Sequence, residues 1–463
     1  MVGITHRWID KNWDLQEVLG NFEKMSGSTR SVLLAEKLPK LWEPYDVDDL
    51  TTDCCAEMNK MGRILDVGKP QDAEGPAIKG LGIQHHGCIA HRMDKLHLLL
   101  AKHPLLQPLL NKLKSISTHV HKSSQSQDHM KKCAEMANAE YVSIKAMVDS
   151  RWWSLFMMLD SFWANMETLV FQRDSPKNPL VPADVYNLTE ADWRDIEVLR
   201  ELSSAFKEVQ LQLEGEKYIT VSLVIPALEL VRHHLHTMRE AYLAAAAPIG
   251  VAVMNDVIAG FEQRFGDGSS ITEFKEGPSR QPQGYTAAQV MGVCLDPRFV
   301  PLTCIPPNQE AAAWTIVRNK LISVINESRE AYNPSADDGA DGDWLAMAEV
   351  SAGSASVVTA EQLADRELTL WRLRKKQLSK DANPLEEWRR AQAVVPWMAK
   401  LARRVLAVAA TSASPERLFS TAGNEMTKKR CRLTCHNFGD IVYLHEVWPK
   451  TREWAACKRQ CGV

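Results

Sequence analysis

The sequence predicts a mixed architecture: a small α/β unit at the N-terminus, then a long tract that is almost entirely helical. Three observations carry this prediction. The first fifty or so residues hold short runs of β-branched and aromatic residues bounded by turn formers. From about residue 100 to residue 395 the apolar residues recur at the helical period. With 463 residues the chain is too long for one ordinary domain, so two or three structural units are expected.

The elements follow in order. "VGITHRWID" and "WDLQEVLGNF" read as antiparallel partners across a turn at Asp10, Lys11 and Asn12. "STRSVLLAEKLPKLW" sets Leu34, Leu38, Leu41 and Trp42 at helical spacing, and "DDLTTD" is a short strand ending at Asp53. After a polar stretch from Gly68 to Gly80, "LGIQHHGCIAHRMDKLHLLL" reads as a strand turning into a helix. Long amphipathic helices come next, with Pro226 marking a kink or a boundary. Loops are predicted near 266–284, rich in Gly, Ser and Pro, and near 333–359, acidic and small-residue. Beyond Pro396 a helix places Met398, Leu401, Val405 and Val408 on one face. In "ASPERLFSTAG", Ser414 is placed to cap, Pro415 suits a first turn and Gly423 can end the helix, so Glu416 and Arg417 fall at a helix N-terminus. A last helix carries Phe438, Ile441, Val442 and Trp448.

A formal net charge of -3 gives no chain-wide attraction for polyanions, so nucleic-acid binding would need local basic patches. Two stand out: Arg92 to Lys132, and the run Lys428, Lys429, Arg430, Arg432. The start shows no basic and apolar leader and no segment reaches membrane-spanning length, which predicts a soluble chain that is not secreted and does not engage a membrane. The ten cysteines are scattered, as thiols of a reducing compartment are. Cys431, Cys435, His436, Cys457 and Cys461 fit no common zinc spacing and read as surface thiols.

Residues 383–448, with a small-residue loop, the Glu416-Arg417-Leu418-Phe419-Ser420 core, Ala422-Gly423 and a later Arg432-Leu433, resemble the C-terminal dimerisation region of hAT-family transposases. Other elements are similar to that family in the right order: "TTDCCAEMNKM", "CIAHRM", "DSRWWSLFMML" and "VCLDPRF". The resemblance implies a ribonuclease-H-like α/β core lacking its first strand (residues 1–86), a helical insertion domain (87–395) and a C-terminal dimerisation segment that completes the core (396–463). In such enzymes three acidic residues hold Mg²⁺ or Mn²⁺ for strand hydrolysis and transfer, because hard cations require oxygen ligands. Asp53 matches the second acid and Glu416 the third. The first lies on a strand upstream of the one that "VGITHRWID" resembles, so it has no counterpart, and Asp10 falls at a turn pointing elsewhere. Glu57 stands where the family shows Asn.

Arg151 and Trp152 match an Arg-Trp pair whose ring stacks on an unpaired base, and ordinary helix packing by Trp152 and Trp153 is the equal alternative. Cys88 and His91 read as structural at the strand-to-helix junction, since no second half of a zinc site follows. The expectation is a transposon-derived, nuclear protein that homodimerises through Leu418, Phe419, Phe438, Ile441, Val442 and Trp448, with DNA a further partner through Lys428, Lys429 and Arg430. It is expected to be no enzyme and to hold no metal or cofactor. The alternatives are a metal-dependent transposase whose missing strand reflects a truncated gene sequence, and a DNA-binding protein without catalysis.

Overall fold

The computed structural model describes residues 2–23, 31–41, 47–71, 77–122, 124–148, 153–174, 186–245, 248–268, 271, 284–331, 358–373 and 378–417. The predicted hairpin forms: β1 (Val2–Ile9) pairs antiparallel with β2 (Leu15–Glu23), from Ile9 opposite Leu15 to Val2 opposite Glu23. Asp10 builds the turn, its carboxylate accepting from the Asn12 and Asp14 amides (both 2.9 Å) and from the Gln16 side chain (3.1 Å).

Helix α1 (Ser31–Leu41) and helix α2 (Ala56–Val67) sandwich a small apolar cluster of Leu34, Leu38, Met61, Ile64, Leu65 and Ile83. Strand β3 (Asp49–Thr52) lies parallel to the later strand Gln84–Gly87, from Asp49 opposite Gln84 to Thr52 opposite Gly87. Between them sit two two-residue strands, β4 (Gly68–Lys69) and β5 (Ile78–Lys79), so Gln84–Gly87 is β6. Gly62 lets α2 settle on β6, because a Cβ there would overlap the His85 ring. Among the described residues the strands form three separate pairs and no continuous sheet, while β1 and β3 both line a cleft of about 380 Å³.

The rest is helical, as the periodicity predicts. After α3 (Ile89–Lys102) come α4 (Gln107–Lys122), α5 (Ser124–Met136), α6 (Ser154–Ala164), α7 (Met166–Asp174), α8 (Glu190–Leu213), α9 (Val224–Ala244), α10 (Pro248–Phe265), α11 (Ala287–Leu295) and α12 (Pro307–Ala331). Helix α8 opens on a capping box in which Thr189 and Asp192 satisfy each other's backbone amides. Pro226 proves a boundary and not a kink: it lies in the first turn of α9, just after a 3₁₀ turn at Val221–Leu223. Most of the two predicted loops lies outside the described residues. No helix among the described residues is long and apolar enough to cross a membrane.

Helices α13 (Ala360–Arg372), α14 (Pro384–Ala391) and α15 (Pro396–Leu406) join the same large core as α8 to α12. Trp371 and Trp388 stack at 3.9 Å, and their indole N–H groups donate to the carbonyls of Cys294 (3.0 Å) and Leu295 (2.8 Å) at the end of α11. Glu367 accepts from the Met398 amide (2.8 Å), covering an open donor at the start of α15. The stripe of Met398, Leu401, Val405 and Val408 is therefore buried inside the chain. Its apolar side chains serve the core, the outcome that a self-associating face does not share.

Candidate functional site

The C-terminal ends of β3 and β6 are held by a segment that arrives more than three hundred residues later. The Cys88 amide donates to the Thr52 carbonyl (2.8 Å), extending the parallel pairing by one step. The Ile89 amide then donates to Ala410 (3.1 Å), Thr51 Oγ1 to Ala409 (2.9 Å), and the Ser412 amide to Cys88 Sγ (3.2 Å). On the far side the Ala410 amide donates to Thr220 Oγ1 (3.1 Å). Small residues make this possible, since "AVAATSAS" lets one backbone lie against another. The helical turn 413–417 follows directly. Its flanking Ser is Ser412 and not Ser414, which corrects the predicted cap.

Four side chains gather here. Asp53 follows β3, and its Oδ1 accepts from the Cys55 amide (2.9 Å) where α2 begins. Cys88 caps α3 and is fully buried; His91 lies one turn along the same face. Glu416 points in from the 413–417 turn, with Oε1 accepting from Ser412 Oγ (2.8 Å) and lying 3.5 Å from His91 Nδ1. Among the described residues the one group of three or more ligand-type atoms converging within 4.8 Å is that of Cys88, His91 and Glu416. Arg417 turns the other way, donating to the Glu214 carbonyl (2.9 Å) and pairing with Glu216, so adjacent charges in the sequence serve opposite sides of the turn.

Burial dominates the electrostatics. It pushes the Glu416 carboxyl up to about 7, with Glu214 and Asp53 adding repulsion, against the Ser412 hydrogen bond and Arg417. Burial lifts the Cys88 thiol to about 12 and lowers the His91 imidazole, whereas the Asp53 charge works to keep His91 protonated. His85, whose Nε2 is 2.7 Å from Thr52 Oγ1, is driven down to about 4 by burial and then by His86.

The Mg²⁺ or Mn²⁺ ions of a strand-transfer enzyme need several oxygen ligands. Sulfur, nitrogen and one carboxylate converge instead, and among the described residues Asp53 does not join Glu416 in a group of three or more ligand atoms within that radius. The donor set does not fit a hard cation. Asp10 cannot supply a third acid, because its carboxylate is committed to the β1–β2 turn. Glu57 accepts from the Ser31 amide (2.7 Å) and so ties α2 to α1.

Several predicted residues fall outside the described residues: Arg151, Trp152, Leu418, Phe419, Lys428, Lys429, Arg430, Phe438, Ile441, Val442, Trp448 and the C-terminal cysteines. Trp153, next to the predicted stacking ring, packs edge-on against His97 at 4.5 Å. The basic stretch from Arg92 to Lys132 needs one correction. Arg92 is buried, donating to the Gly284 carbonyl (3.2 Å) and lying over the Phe265 ring, whereas Lys95, Lys102, Lys122 and Lys132 are exposed. "VCLDPRF" is structural: Asp296 is fully buried and bonded to Arg298 (2.7 Å) and Ser222 (2.6 Å). Sequence reasoning missed Ser412 and Thr220, whose only signal was a small-residue loop and a lone Thr between two helices.

Residues 362–447 match the family model of the hAT family C-terminal dimerisation region. No curated protein gives a match to the chain.

Proposed function

The chain is an hAT-family transposase-like protein by its C-terminal region, and from that premise we propose that it acts as a transposon-derived, self-associating protein without strand-transfer activity. The match of residues 362–447 to a dimerisation region carries the reading. Burial inside the chain narrows it. The described part of that region, up to Arg417, turns Trp371, Leu385, Trp388, Met398, Leu401 and Val405 inward. Self-association is accordingly assigned to residues 418–447 and to Leu418, Phe419, Phe438, Ile441 and Val442, with Trp448 just beyond, through a two-fold contact of like surfaces.

The absence of strand transfer is supported by the donors that meet Glu416, a thiol and an imidazole in place of further carboxylates, a set that suits no hard cation. On this reading the site descends from a ribonuclease-H-like nuclease and has lost its reaction. Sedimentation tests the first part: the full chain should run at twice its 52.0 kDa mass, and Phe438→Glu with Ile441→Glu should run as a folded monomer. A monomeric full chain, or a dimer untouched by those changes, refutes it. Supercoiled DNA tests the second. Nicking that requires Mg²⁺ or Mn²⁺ and disappears in Glu416→Gln would restore the enzyme.

A DNA partner, and with it a nuclear location, is a second reading favoured by the exposed Lys95, Lys102, Lys122 and Lys132 on α3 to α5. It requires an affinity that falls steeply with salt, because phosphate contacts release counterions. Salt-insensitive binding would remove it.

A further inference from the structure

The geometry points to a binding site for one borderline transition-metal ion, zinc by preference, held by the Cys88 thiolate, the His91 imidazole and the Glu416 carboxylate. The three come from two separate elements, the β6–α3 junction and the turn 413–417, and their ligand atoms all lie within 4.8 Å of one another. A tetrahedral zinc site with ordinary Zn–S, Zn–N and Zn–O bonds has ligand-to-ligand edges of roughly 3.3–3.6 Å. His91 Nδ1 and Glu416 Oε1 already stand 3.5 Å apart, and closing the two edges to sulfur takes a contraction of up to about 1.3 Å. Thiolate, imidazole and a single carboxylate form a donor set that zinc takes readily and that magnesium and calcium do not.

The surroundings suit a ligand set of this kind. Ser412 supports two of the three at once, its amide donating to Cys88 Sγ and its hydroxyl to Glu416 Oε1. Hydrogen bonds from such outer partners orient ligands and hold their charge. The His91 and Glu416 side chains remain 26% and 33% exposed, while Cys88 lies fully buried beneath them, so an ion reaches the site from solvent and meets the thiol last. Three protein ligands leave a fourth position, to be taken by water. Occupancy would also engage Glu416, one of the two acids a strand-transfer site would use. The site stands apart from the dimerisation reading: it draws only on residues up to 416, and the self-associating segment begins after 417.

The test uses the full chain, stripped with a chelator and titrated with Co²⁺ as a spectroscopic stand-in for Zn²⁺, with bound zinc measured by elemental analysis. One equivalent should bind, with the near-ultraviolet absorption of a cobalt–thiolate bond and the visible bands of a tetrahedral ion. Cys88→Ser should abolish the thiolate absorption. Glu416→Gln, a change of the same size at a side chain 33% exposed, should weaken binding by at least about 10-fold, which keeps the test decisive if the buried Cys88→Ser variant misfolds. Because the chain has ten cysteines, a variant with Cys431, Cys435, Cys457 and Cys461 all changed to Ser must retain the signal. Absence of uptake, loss of the signal in that four-site variant, or full-strength binding in Glu416→Gln overturns the proposal.

Discussion

Acid should loosen the helical core through His97. This residue of α3 is 6% exposed, its ring packs edge-on against Trp153 at 4.5 Å and Phe206 at 5.5 Å, and neither ring nitrogen has a hydrogen-bond partner among the described residues. Burial alone lowers its pKa from 6.5 to about 4. The neutral ring is therefore the folded form, and its contribution to stability is present above 6.5 and lost as the pH falls towards 4. At pH 5 the unfolded chain takes up this proton with a statistical advantage of about 30-fold, equal to about 2 kcal/mol, whereas at pH 7.5 the advantage is close to nil. His97→Leu removes the titration and keeps an apolar side chain in place. Urea denaturation at pH 7.5 and 5.0 should show the parent losing about 2 kcal/mol more than the variant. His85 and His6, also lowered by burial, titrate in both proteins and cancel in the difference. Equal losses in the two proteins would mean that His97 accepts its proton without cost and that its environment is not the apolar one described.

Two further perturbations test the core. Asp296→Ala should lower stability by about 3–5 kcal/mol, because it breaks the buried ion pair with Arg298 at 2.7 Å and the bond from Ser222 at 2.6 Å; a loss under about 1 kcal/mol would show that solvent reaches the guanidinium. Trp388→Ala should cost about 3–5 kcal/mol by thermal melting, since it empties the space between Trp371 and Trp13 and frees the Leu295 carbonyl. An unchanged melting temperature would mean that α14 is not part of the cooperative core.

Much of the fold was legible because period and punctuation agree. The β1–β2 hairpin, the strand before Asp53, the strand-to-helix turn at Cys88 and the break at Pro226 each follow from local chemistry. What the stripe on α15 packs against was not legible. Amphipathic periodicity says that Met398, Leu401 and Val405 need apolar neighbours, and only tertiary structure says that those neighbours belong to the same chain. Arg92 shows the same blindness for charge, since a basic residue in a basic run reads as surface until Gly284 and Phe265 are seen around it. At the candidate site, Asp53 and Glu416 were singled out by resemblance. That Cys88 and His91 would meet Glu416 was not, because no spacing rule reaches across so long a separation in sequence.

The stitch between Ser412 and Cys88 spans 324 residues, and this separation has a consequence in time. A ribosome adding roughly 5–20 residues per second delivers Ser412 about 16–65 s after Cys88. Throughout that interval β3, β6 and the first turn of α3 lack their hydrogen bonds to Ala409, Ala410 and Ser412. A protein interrupted before residue 409 keeps Asp53, Cys88 and His91 but lacks Glu416 and the backbone segment that covers Cys88, however well its earlier helices have packed.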